Sequence, residues 1–154
     1  MNKCDRHVSI IFCDDIRNEL ANKNSYMGMY GPQATVEELP GTFRMLNILV
    51  QLYAPESDPI RDFEVVVKHD DKELARFSPP IENGFKKNAV PIGFYVGEES
   101  VKEMLTVAAT FTLGGLLYTQ PGEIRVIVQA DGEILPTPVL RLALGESSHA
   151  TPPQ

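Results

Sequence analysis

The sequence predicts an all-β fold: an antiparallel β-sandwich of Ig-like or C2-like type, with one or two short helices. Three observations carry this expectation. Apolar and polar residues alternate with a period of two in several segments, as half-buried strands require. Twelve prolines and eleven glycines are spread along the 154 residues and punctuate many short elements. Hydrophobic residues make up 43% of the chain, enough for one real core in a domain of this length.

The elements follow in order. A first strand is expected over Val8–Cys13, with Val8, Ile10 and Phe12 on one side. Asp15–Ala21 has an acidic start and good helix formers and predicts a short helix. Short strands are expected at Tyr26–Tyr30 and Thr35–Leu39. Leu46, Ile48, Val50 and Leu52 alternate with Asn47, Leu49 and Gln51, which reads as a central strand with one clean core face. Phe63–Lys68 and Glu73–Phe77, joined by the polar break His69–Lys72, read as a hairpin. A strand at Ile92–Val96 and a second short helix at Glu98–Met104 come next.

From Leu105 to Leu113 the odd positions are apolar, while Thr106, Thr110 and Thr112 fall on the even ones. Threonine favours strands, and no helix sorts residues this way. Gly114-Gly115 marks a bulge or bend ending that strand. Pro121-Gly122-Glu123 opens Ile124–Gln129, Asp131-Gly132 makes a turn, and Val139–Leu144 returns. Pro136 and Pro138 make the start of the return an edge or an unpaired stretch. The expected organisation is a single domain over 1–145 with a disordered tail over 146–154.

Charge narrows the partners. The net charge is −7 and the pI about 4.9, which argues against nucleic acid and against an anionic membrane surface. No apolar run approaches the roughly 18 residues of a membrane span. The segment Met1–Arg6 lacks the apolar stretch of a signal peptide, so the expectation is a cytoplasmic protein with reduced thiols. Cys4 and Cys13, at opposite ends of one strand with about 3.3 Å per residue, are too far apart to bridge.

Phe12-Cys13-Asp14-Asp15-Ile16-Arg17-Asn18-Glu19 is followed by Lys23 and by Ser25-Tyr26-Met27-Gly28-Met29-Tyr30-Gly31. This resembles the opening of a domain-of-unknown-function family found in bacteria and their phages or prophages. Its pattern runs Asp-Asp-Ile/Val-Arg-x-Glu and then Lys-x-Ser-x-x-Gly-x-Tyr. Pro40, the strand at Leu46–Leu52 and the Pro121-Gly122-Glu123 hairpin fit as well. The resemblance implies a small β-rich domain and a phage or prophage origin; it implies no activity. The chain departs from the pattern at Ala21-Asn22, where the family has Gly-Gly, which leaves the tight turn there open.

Asp14, Asp15, Arg17 and Glu19 form the densest polar cluster. One reading is a structural knot, with Arg17 clamping carboxylates or loop carbonyls and Asp14 capping the following turn. The other is a ligand or partner site, to which Tyr26 and Tyr30 would add an aromatic patch with Met27 and Met29. A calcium site would draw on the acid pairs Asp14-Asp15 and Asp70-Asp71 and on Asp58 with Asp62, but no loop has EF-hand spacing.

Nucleophilic catalysis finds no support. The histidines are His7, His69 and His149, and no Gly-x-Ser-x-Gly elbow is present. Gly114-Gly115 lacks the lysine and helix of a phosphate loop. No cofactor is expected.

The leading expectation is therefore a non-catalytic, cytoplasmic protein-interaction module, phage- or prophage-encoded and acting on a host protein through loops or a sheet edge. Homo-oligomers through a sheet edge or face fit the same scaffold. The alternatives are a small-ligand or metal-binding domain using Asp14, Asp15 and Arg17, and an enzyme with an unrecognised site.

Overall fold

The computed structural model describes residues 6–80, 85, 89–97 and 100–145. Within them lie the strands β1 (His7–Glu19), β2 (Lys23–Met29), β3 (Gln33–Val36), β4 (Gly41–Pro55), β5 (Phe63–His69), β6 (Lys72–Phe77), β7 (Val90–Gly97), β8 (Ser100–Tyr118), β9 (Gly122–Ala130), β10 (Glu133–Leu135) and β11 (Val139–Leu144). They build two packed sheets, and the chain is an all-β sandwich. One sheet has the order β2-β1-β4-β8-β7 and is antiparallel throughout. The other runs β3-β11-β9-β5-β6, with β10 also against β9; only β3 and β11 are parallel.

The alternation read from the sequence sets the core. Leu46, Ile48, Val50 and Leu52 are at most 2% exposed, and they meet Val65, Val67, Ile124, Val126 and Val128 of the facing sheet. Each such aliphatic side chain contributes about 1.5–3 kcal/mol by leaving water.

The two helices expected at 15–21 and 98–104 are corrected. Asp15–Glu19 continues β1, with Arg17 opposite Ser25 and Glu19 opposite Lys23 of β2. Ser100–Met104 belongs to β8, and residues 98–99 lie outside the described ones. Both segments are too short to nucleate a helix alone, and a neighbouring strand supplies hydrogen bonds for each. Among the described residues, helical backbone is limited to one 3-10 turn, Leu20–Asn22, and to Phe85. The expected tail over 146–154 and Cys4 also lie outside the described residues.

The tight turn left open at Ala21-Asn22 does form. Ala21 has φ 62° and ψ 39° and Asn22 has φ 57°, so both adopt the left-handed conformation that a type I′ connection demands. Asparagine tolerates it; alanine does so at a cost.

Gly114-Gly115 does bend the strand but does not end it. Gly115 has φ +63°, and β8 pairs with β4 on both sides of it. The inward phase changes there: Leu113 packs on the core before the bend, Leu116 and Tyr118 after it.

The Asp131-Gly132 hairpin forms with both residues at positive φ, but its return strand is β10. β11 then pairs further along the same edge of β9. Pro136 and Pro138 fall in the gap between them, and there the Thr137 hydroxyl donates to the Val126 carbonyl at 2.6 Å. A side chain thus satisfies the carbonyl that the prolines cannot.

Candidate functional site

Successive residues of a strand point to opposite faces, and this divides the N-terminal polar cluster. Asp14 turns toward the rim of the core. Its Oδ1 accepts a 2.5 Å hydrogen bond from the Tyr30 hydroxyl. Tyr30 is half-buried, its N–H donates to the Phe12 carbonyl at 2.8 Å, and its ring packs edge-on against Phe43. Burial, and then the bond to Asp14, push the Tyr30 phenol well above its usual range.

Gly28 lies beneath the carboxylate at φ +62°, and any Cβ there would collide with Asp14 Oδ2. The glycine and tyrosine of the motif are therefore explained together: one makes room for Asp14 and the other binds it. The Asp14 carbonyl accepts from Asn47 Nδ2 at 2.9 Å, and Asn47 Oδ1 accepts from Thr112 at 2.7 Å. Asp14 thus fastens its strand to β2 and β4, and it does not cap a turn.

Asp15, Arg17 and Glu19 sit on the other face of β1. Arg17 Nε is 2.8 Å from Asp15 Oδ2, with the two side chains 61% and 48% exposed. Ser25 donates to Glu19 at 2.9 Å across the hairpin. The clamp expected at Arg17 is therefore corrected to a surface ion pair, of a kind contributing about 0–1 kcal/mol. Tyr26, half-buried opposite Ile16, and Tyr30 lie on one side of this hairpin, while Met27 and Met29, opposite Asp15 and Cys13, lie on the other, so the expected aromatic and methionine patch is divided between two faces.

The arginine clamp exists, but at Arg6, which in the sequence is marked only as one more basic residue. Arg6 Nη1 reaches Asp131 Oδ2 at 3.0 Å and Nη2 reaches Asp58 Oδ1 at 3.2 Å, with the Arg6 side chain 17% exposed. Asp131, at φ 47°, also accepts the N–H groups of Arg61 and Asp62 at 3.0 and 2.9 Å. The acids weighed for calcium are used singly. Asp58 binds Arg6, while Asp70 accepts the Glu123 N–H at 3.0 Å. Among the described residues no group of three or more His, Cys, Asp or Glu is placed to hold a metal ion.

Shallow clefts of about 460, 360 and 300 Å³ lie at the sheet margins. The first is lined by Lys72, Leu74 and the Thr112–Leu117 bend, the second by Tyr30, Glu37, Glu38 and Tyr118, and the third by Asp62, Glu64 and Asp131. None of these linings sets a nucleophile beside a histidine.

The two outer faces of the sandwich differ sharply in charge. On the six-stranded sheet, Arg76 pairs with Glu64 and Glu73, and Arg125 pairs with Glu123. Hydrogen bonds to those carboxylates raise both guanidinium groups, and the Arg76 bond lowers Glu73. This is a solvated face.

Among the described residues, the outer face of the five-stranded sheet has no Asp, Glu, Lys or Arg across its centre. β1 contributes His7, Ser9, Ile11 and Cys13; β4 contributes Met45, Asn47, Leu49, Gln51 and Tyr53, register-paired with them or with their neighbours on β8. β8 adds Thr106, Ala108, Thr110 and Thr112, and β7 adds Val90, Ile92 and Phe94.

At one side of this face Met27, Met29 and Met45 are 45%, 60% and 42% exposed. At the other, His7 stacks on Tyr53 at 4.5 Å, and Phe94 meets both rings edge-on. Cys13, Asn47, Leu49 and Met104 are already buried on this side, outside the main core. Among the described residues charge returns at the rim, with Lys102, Arg44, the Asp15–Arg17 pair and Glu19 opposite Lys23. The odd positions of 7–13 and 45–53 carry this signal in the sequence, but it has meaning only once the strand order is known.

No helix among the described residues is long and apolar enough to cross a membrane. The chain matches no model of a known protein family, and no curated protein sequence matches it.

Proposed function

We propose that the chain is a non-catalytic protein-interaction module whose contact surface is the outer face of the five-stranded sheet. The observation that carries this reading is the contrast between the two faces. One holds a lattice of ion pairs; the other holds threonine, methionine, aromatic and amide side chains and, among the described residues, no formal charge across its centre. Depletion of charge at the centre, with Met and aromatic residues present, is the compositional mark of a protein interface.

The small-ligand alternative loses its geometry, because Asp14 faces away from Asp15 and Arg17. A photoreactive phenylalanine derivative placed at position 110, and separately at position 125 of the charged face, tests the proposal in cells. Protein adducts from position 110 and none from 125 are expected. Equal yields from both positions, or no adducts from 110, refute it.

A further inference from the structure

We infer that the cleft of about 360 Å³ between β3 and the Gly41–Tyr118 rung of β4 and β8 is a binding site for a guanidinium group. It lies apart from the outer-face contact surface, and neither reading depends on the other. An aromatic row backs the cleft. Tyr30 meets Phe43 edge-on at 6.0 Å, and Phe43 meets Tyr118 at 5.3 Å. Glu37 and Glu38, both exposed, line it from the segment that joins β3 to β4.

Tyr118 is the residue that calls for a ligand. Its ring lies across Gly41, its partner in the β4–β8 register, where any Cβ would collide with the hydroxyl. Tyr118 is 8% exposed, yet its hydroxyl makes no hydrogen bond among the described residues, and it lines the cleft. A tyrosine buried to this degree ordinarily finds a partner for its hydroxyl. Here the place for that partner is the cleft. Glu37 and Glu38 likewise have no ion pair or hydrogen bond among the described residues.

The atoms on offer select the ligand's chemistry. The Tyr30 hydroxyl gives its proton to Asp14, so its oxygen is left to accept. The two glutamates accept only, and the Tyr118 hydroxyl can accept as well. Among the described residues no lysine, arginine or histidine lines the cleft. An anion would meet the charges of Glu37 and Glu38, with Asp14 behind Tyr30. A neutral polyol would leave those charges unmatched. A cation that carries N–H donors and no acceptor fits. Guanidinium fits better than ammonium, because its planar fork reaches two oxygens at once, its faces suit aromatic rings, and it sheds water more readily.

Amide chemical shifts of the full chain, titrated with Nα-acetyl-argininamide, test the site. Saturable shifts at residues 35–38, 41–43 and 118 are expected, with a Kd at or below about 1 mM. The lysine counterpart should bind at least about three-fold more weakly, and the neutral citrulline counterpart, which keeps the shape and loses the charge, at least about ten-fold more weakly. Tyr118→Phe should weaken the arginine probe about ten-fold. It should melt as the parent does, since the hydroxyl bonds nothing in the free chain. Glu37→Gln combined with Glu38→Gln, on exposed positions, should also weaken binding at least about ten-fold, and this pair decides the matter if Tyr118→Phe fails to fold.

Absence of saturation by about 10 mM, or shifts scattered away from the cleft, would overturn the site. So would a lysine or citrulline probe that binds as tightly as arginine, or a folded Tyr118→Phe that binds like the parent. A short Gly-Ser peptide with one central arginine then separates the sources of the same group. Binding at least about ten-fold tighter than the blocked amino acid supports a guanidinium carried by a polypeptide, and equal affinity supports a small guanidinium compound.

Discussion

Arg6→Ala should destabilise the fold by about 2 kcal/mol, while Arg17→Ala should cost no more than about 0.5 kcal/mol. The two arginines lie eleven residues apart on or beside the same strand and both pair with aspartate, so the difference comes from burial and from what each pair joins. Arg17 bonds Asp15 two residues away, and both side chains are about half exposed. Water replaces that contact readily. Arg6 is 17% exposed and bridges the start of β1 to Asp58 and to Asp131, which is 27% exposed.

The Asp58 arm contributes little, since that carboxylate is 68% exposed. The Asp131 arm is a charge-assisted hydrogen bond in a half-buried setting, for which about 1.5–3 kcal/mol is usual. Asp131 keeps the N–H donors of Arg61 and Asp62 when Arg6 is removed, which moderates the penalty and places the sum near 2 kcal/mol.

Urea denaturation with an unchanged slope is the assay, and the corresponding drop in Tm is about 4–8 °C for a chain of this size. Arg6→Met keeps the packed stem and loses the fork, so it should recover only a minor part of the loss. Should Arg6→Ala unfold within about 0.5 kcal/mol of the parent, or Arg17→Ala prove as costly, the assignment of the clamp is wrong.

Two further outcomes follow from the backbone and from the rim of the core. Ala21→Gly should stabilise the chain by about 0.5–1 kcal/mol, read as a raised urea midpoint, because relief of the left-handed alanine outweighs the entropy glycine loses on folding. Stability should also fall in alkali. Burial chiefly raises both the Cys13 thiol and the Tyr30 phenol above their ordinary 9.0 and 10.0, so the unfolded chain releases these protons first. The stability they contribute is complete below about pH 9 and declines as pH rises past those values toward the folded ones. Urea midpoints across that range should show the decline, and Tyr30→Phe should remove its upper part. A midpoint that stays level into strong alkali, or is unaltered by Tyr30→Phe, would contradict the burial assigned to these groups.

Where one face of a strand is buried and the other is not, the sequence already carried the structure. Leu105–Leu113 alternates because water and core select opposite residue types on its two sides, whereas Leu46, Ile48, Val50 and Leu52 mark the core face of a strand on which Asn47 and Leu49 of the other face are buried as well. The signal failed where a strand is held from outside. Asp15–Glu19 has the composition of a helix start, and only pairing with β2, which begins four residues after Glu19, extends it. Likewise Asp131-Gly132 announced a hairpin, but that the return strand is split by Pro136 and Pro138 depended on Thr137 reaching Val126. Gly115 was readable as a bend. That the ladder with β4 would continue through it, exchanging inward phase, was not, since that requires both strands to turn together.

The polar motif at the N-terminus misled for a related reason. Asp14, Asp15, Arg17 and Glu19 are adjacent in sequence, and adjacency suggested a cluster. Read as a strand, position 14 differs in parity from 15, 17 and 19, and the group separates into a core-rim bond to Tyr30 and a surface pair. The surface proposed for contact was harder still to see. A catalytic group or a metal ligand leaves a residue type to search for; a contact face is marked by what it lacks. His7–Cys13, Met45–Tyr53, Val90–Phe94 and Thr106–Thr112 each look like ordinary half-polar strands. Only the order β2-β1-β4-β8-β7 lays their uncharged sides together, and only the ion pairs on the opposite sheet show that solvent alone would have permitted charge there.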